Sequence, residues 1–168
     1  MPPVMSTSSL VLPPVRRSEL ATVITAGSVL AVVDGFSAFA INALFFNQPS
    51  FVRTFQGVAA ALVGKEAFTL GVTGALIGIA MHVAVAFAWT TLFFALQRSW
   101  PALRRVTAHR IGIATIGPLL GAVIWVSMCY VVFPMTRIHH APIASRSFVI
   151  NLIQHILVVG PLIVALER

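Results

Sequence analysis

Four stretches of this chain stay apolar for about twenty residues or more, and each stops abruptly at charge, proline or a polar cluster. They run over about 20–46, 71–96, 110–134 and 147–166. The hydrocarbon core of a bilayer is about 30 Å thick, and roughly 20 apolar residues in a helix cross it. The runs therefore predict an all-α integral membrane bundle of four transmembrane helices. Composition agrees. Hydrophobic residues make up 58% of the 168 and charged ones only 9%, with a mean hydropathy of +0.97. A water-soluble domain carries roughly a quarter charged residues, so this chain cannot clothe itself in water.

The net charge of +7 does not point to nucleic acid, because the basic residues sit at the ends of the apolar runs. Placed there they meet lipid headgroups and set orientation. No basic stripe with interleaved aromatics is present, so the expected partner is the bilayer and not a nucleic acid. Arg16, Arg17, Arg98, Arg104, Arg105, Arg110 and Arg168 fall on one side of the four-span pattern, and Arg53, Lys65, Arg137 and Arg146 on the other. Seven against four places both termini in the cytoplasm. Arg98, Arg104, Arg105 and Arg110 form the densest group and are candidates to hold anionic headgroups. The one cysteine, Cys129, lies inside an apolar run and excludes an intramolecular disulfide.

Residues 1–18, with four prolines and several serines, predict a disordered cytoplasmic tail ahead of a single transmembrane domain over 19–168. Arg16-Arg17 and the later Ala38-Phe39-Ala40 imitate a cleavable signal peptide. The apolar run continues past that triplet, however, and Asp34 is a poor neighbour for a cleavage site, so the helix is read as retained. Between the first two spans, Phe51, Phe55, Val58, Ala59 and Leu62 recur at helical spacing. They predict a short interfacial helix or a plain helical connector.

Ionisable groups inside a bilayer are costly and usually face the bundle interior. Here they are Asp34, His82 and His155, one on each of three spans. Counted from the cytoplasmic ends at 1.5 Å per residue, they lie within roughly 3 Å of one depth, which predicts a buried polar cluster. Gly74, Gly78 and His82 share one helix face, as do Ser147, Asn151 and His155. Gly27, Ala31, Asp34 and Ala38 form a similar stripe. Gly74-x-x-x-Gly78 and Gly117-x-x-x-Gly121 are helix-packing faces, serving contacts within the chain or with a second copy or another membrane protein. Pro118 and Pro161 each remove a backbone hydrogen bond and favour a kink.

Several chemistries suit the trio. A His–Asp hydrogen bond between spans serves as structural glue, which makes the chain a structural or accessory membrane protein. An Asp beside histidines also passes protons, as in a small transporter or channel subunit. Two His and a carboxylate suffice for a divalent metal, with Asp34, His82 and His155 as ligands, although no His-x-x-x-His or Glu-x-x-His spacing supports one. Otherwise no cofactor is expected. Enzymatic motifs are missing: there is no Gly-x-Ser-x-Gly, phosphate loop or HExxH. Cys129 has no base near it in sequence. Lys65-Glu66 reads as an exposed pair, and His139-His140 beside Arg137 as a solvated loop pair.

The order Asp34-Gly35, "FQGVAAALVGKEAF" leading into "GALIGIAMHVAVAF", then His155 followed by Gly160-Pro161, resembles a group of small uncharacterised bacterial inner-membrane proteins with four predicted spans. The resemblance covers roughly 20–165. This chain departs from the pattern at Ala60-Ala61 and at Leu70-Gly71. The resemblance implies a four-span fold, a bacterial source and an inner-membrane location, and carries no chemistry with it.

Overall fold

The computed structural model describes residues 17–138 and 145–168, and no strand occurs among them. Of the tail expected over 1–18, residues 1–16 lie outside the described residues, as does the pair His139-His140, whereas Arg17 and Ser18 belong to helix. Seven α-helices follow in order: α1 (Arg17–Phe45), α2 (Phe51–Val63), α3 (Gly71–Ser99), α4 (Pro101–Thr107), α5 (Arg110–Ser127), α6 (Arg146–Gln154) and α7 (Gly160–Leu166). Two π-helical turns, Met128–Val132 and His155–Val159, extend α5 and join α6 to α7. Among the described residues four segments are long and apolar enough to cross a membrane: Ser18–Phe45, Gly71–Ser99, Arg110–Met135 and Arg146–Leu166. The chain is thus a multi-pass membrane protein of the all-α class. Leu44, Val72, Ile111 and Leu157 stand among many large exposed apolar side chains, the outward face that lipid requires.

The spans associate in two pairs. Span 1 (α1) lies on span 2 (α3), and span 3 (α5) lies on span 4 (α6–α7). Between the pairs Leu30, Ala86, Phe93, Ile124, Val159, Ile163 and Val164 form the largest core cluster. Spans 3 and 4 cross backbone to backbone. A side chain on Gly117 would sit 2.7 Å from the Cα of Pro161, and one on Gly160 would sit 2.8 Å from the Cα of Gly121. The Gly117/Gly121 face therefore meets Gly160-Pro161, as a small-residue face should.

The Gly74/Gly78 face has a different partner from another span. A Cβ on Gly78 would run into the backbone of Phe55, and one on Gly74 into the carbonyl of Ala67. Both glycines thus admit the segment between the first two spans. Ser50 caps α2, accepting from the Arg53 N–H at 3.2 Å. The buried face of α2 (Thr54, Phe55, Gln56, Ala59, Ala60) packs on α3. Gln56 fastens the crossing by donating to the Gly71 carbonyl at 2.8 Å. Beyond span 3, the Arg137 N–H bonds the Ala61 carbonyl at 2.9 Å, so α2 is held from both pairs.

Both prolines lie within helical segments. Helix α5 runs through Pro118 from Arg110 to Ser127 without interruption. The irregular turn of span 3 comes ten residues later, where the Phe133 N–H bonds Met128. In span 4 the irregularity precedes Pro161: the Gly160 N–H reaches back five residues to His155. Pro161 then occupies the start of α7. Between spans 2 and 3 the chain forms the short helix α4.

Candidate functional site

Helix α1 presents Ala31, Asp34 and Ala38 toward the interior, and Gly35 is buried beside them. A Cβ on Gly35 would stand 3.2 Å from Phe55 Cζ and 3.4 Å from His82 Nε2, so its absence lets the imidazole of α3 lie against α1. His82 Nε2 is 3.1 Å from the Ala31 carbonyl and 3.8 Å from Asp34 Oδ2. A carbonyl only accepts, so Nε2 carries the proton. The edge of Phe55 closes over the ring, with centroids 5.6 Å apart. The structure thus brings Asp34 and His82 together.

From span 4 the group that reaches Asp34 is Gln154, where the depth count had named His155. Gln154 is buried, and its Nε2 donates to Asp34 Oδ1 at 2.5 Å and to Ser37 Oγ at 2.8 Å. Ser37 Oγ in turn donates to the Asp34 carbonyl at 2.9 Å. Successive residues on a helix point about 100° apart, so equal depth does not bring His155 to the same partner. His155 donates from Nδ1 to the Asn151 carbonyl at 2.8 Å and lies against Trp125, with centroids 4.9 Å apart. Gln154 is uncharged and escapes a search for ionisable groups. Its signal was the polar periodicity Ser147, Asn151, Gln154.

These elements enclose a cavity of about 440 Å³ between the span pairs, with α2 along one side. Asp34, Asn42, His82, Asn151 and His155 supply polar wall, and Met81, Trp89, Trp125 and Met128 supply apolar wall. The two π-turns contribute Met128, Val132, His155 and Val159. No Lys or Arg lines it among the described residues. The buried indole N–H of Trp125 has no hydrogen-bond partner among the described residues. Among the described residues no group of three His, Cys, Asp or Glu is arranged to hold a metal ion. Asp34, His82 and His155 share a cavity wall.

A second polar region lies at the end of the bundle where Glu19, Arg98, Arg104, Glu167 and Arg168 line a cavity of about 220 Å³. Arg98 Nη1 pairs with Glu19 Oε2 at 2.6 Å, so this arginine ties span 1 to span 2 rather than standing free for a headgroup. Arg104, Arg105 and Arg110 are exposed at the surface. Glu167 is only 6% exposed, and among the described residues neither of its carboxyl oxygens has a hydrogen-bond partner, nor does Nε2 of Gln97, which lines the same cavity. Burial pushes the Glu167 carboxyl up to about 8 from its ordinary 4.5. Neither residue attracts notice in the sequence, because each lies beyond the mid-membrane depth. Cys129 is fully buried, and Lys65 and Glu66 are exposed.

The chain matches no protein-family model, no curated protein and no solved structure.

Proposed function

We propose that this chain is a small carrier-type protein of a bacterial inner membrane, with both termini cytoplasmic, that binds a small ligand between its span pairs while Asp34 exchanges a proton. The observation that carries the reading is the cavity of about 440 Å³ with a carboxylate and two imidazoles on its wall. Polar groups placed only to hold helices together are better served by close packing around them. Here they border open space of the size small-molecule sites have, roughly 300–1,000 Å³. Orientation rests on the seven-against-four bias of Arg and Lys. The bacterial inner membrane rests on the resemblance to small four-span proteins.

A second reading, an accessory protein without transport, is favoured by the Asp34–Gln154–Ser37 network, which couples span 1 to span 4 whatever the cavity does. Water access separates the two. With Cys129 replaced by Ser, a cysteine at Ala38 or Ala61, both on the cavity wall, should react with a water-soluble maleimide. A cysteine at Ala75, buried on α3 outside that wall, should not. Cavity cysteines as unreactive as the one at Ala75 would refute the carrier and leave the accessory reading.

A further inference from the structure

We infer that the ligand of this cavity is a lipophilic organic cation, taken up in exchange for the proton of Asp34. The inference rests on the carrier reading and adds the ligand's chemical class. Its first support is charge. Among the described residues lining the cavity there is no Lys or Arg, and Asp34 brings the only carboxylate. One of its oxygens accepts from the neutral amide of Gln154. The other is 3.8 Å from His82 Nε2, whose proton goes to the Ala31 carbonyl. A mid-membrane carboxylate with no Lys or Arg beside it among the described residues is costly. A proton or a bound cation relieves it, and the two compete.

The second support is the rest of the wall. Trp89, Trp125 and Phe133 line the same space, together with the thioethers of Met81 and Met128. Aromatic faces attract cations through the ring quadrupole, more strongly where water is scarce. Methionine adapts its shape to bulky apolar groups. A small hydrated metal ion would find few oxygen ligands here, and an anion would meet the carboxylate. A cation with an apolar shell matches both the charge and the surface.

The exchange balances. Asp34 in its acid form releases one proton to water as the cation enters, and the carboxylate then pairs with the cation, so the cavity charge is unchanged. The titratable groups that share the space are His82 from α3 and His155 from span 4. The α2 and span 3 segments bring none to the wall among the described residues. Protonation of either imidazole opposes cation binding, so acid weakens binding by both routes.

The test uses the full chain in detergent micelles with tetraphenylphosphonium as probe, followed by calorimetry at pH 5 to 8. The expected result is binding at pH 8 that weakens at least tenfold toward pH 5, with about one proton released per cation, read by comparing buffers of different ionisation enthalpy. Asp34→Asn should weaken binding at least tenfold and abolish the proton release, while Asp34→Glu keeps the release. Trp89→Ala should weaken binding severalfold, and far-UV circular dichroism checks that each variant is folded. Should Asp34→Asn fail to fold, the wild type against neutral triphenylphosphine oxide decides the matter. Equal binding of that neutral compound, binding without proton release, or no binding of the cation overturns the inference. Cavity cysteines that react with maleimide in a protein that ignores the cation would sink the ligand class alone. Unreactive cysteines sink the carrier itself.

Discussion

Replacing Gly121 with alanine tests how closely spans 3 and 4 are joined. The added methyl would fall within contact of the His155 carbonyl oxygen, 2.5 Å from its carbon and 2.9 Å from the Ile156 nitrogen. Carbon atoms prefer separations of about 3.5–4.0 Å, so the two helices must part by about 1 Å. No flexible side chain end is available to yield at closest approach, because the three nearest atoms are all backbone. Parting them also loosens Ile124, Val159 and Ile163, which share the core cluster at this crossing. Overpacking costs about 1–3 kcal/mol, and backbone clashes fall at the upper end. Alanine returns up to about 1 kcal/mol through helix propensity. The expected net loss is therefore about 2 kcal/mol, read from unfolding in mixed micelles followed by circular dichroism. Gly57→Ala is the matched control, since nothing lies within 4 Å of a Cβ there. It should leave stability unchanged or raise it by up to about 1 kcal/mol. If Gly121→Ala is as stable as wild type, or if Gly57→Ala loses as much, the crossing is not as described.

Other outcomes are expected elsewhere. Because burial raises the Glu167 carboxyl from its ordinary 4.5 to about 8, stability is highest below pH 4.5, falls as pH rises from there to 8 by at most about 4–5 kcal/mol, and levels off above. Glu167→Gln should remove that dependence between pH 5 and 9 in the same unfolding assay, and a flat wild-type profile would contradict it. Gln154→Leu leaves Asp34 Oδ1 and Ser37 without their donor and should cost about 1–3 kcal/mol, while adding Asp34→Leu should return much of the loss. Glu19→Arg or Arg98→Glu alone should lower stability by about 1 kcal/mol, and the exchanged pair should recover most of it, unless their bridge contributes nothing.

The spans were legible because length and hydropathy decide them: an unbroken apolar run such as 71–96 has no other use at that length. Helix α2 was legible from its 3.6-residue period. Its partner was not, since Gly74-x-x-x-Gly78 advertises close approach without naming what approaches, and the occupant is Phe55 and its neighbours. Depth was readable by counting, so Asp34 and His82 were found. Azimuth was not, and one residue of rotation gave Asp34 the amide of Gln154 in place of the ring of His155. The π-turns left no local signal, because they arise where packing on both flanks fixes faces that an α-helix cannot satisfy together. Glu167 was missed because its burial is a tertiary fact about a residue beside a span end.

The π-turn at His155–Val159 gives span 4 one residue of slack. Its five-residue hydrogen bond from Gly160 to His155 takes up one amino acid more than an α-turn does. Removing one residue inside that turn lets it revert to α-helix while Asn151 stays toward the cavity and Gly160 stays on Gly121. Removing one residue anywhere else in the span would swing one flank by about 100° against its partner. Length variation in this membrane helix is therefore confined to a five-residue window beside the cavity, and a scan of single-residue deletions would find that window as the tolerant stretch of the span.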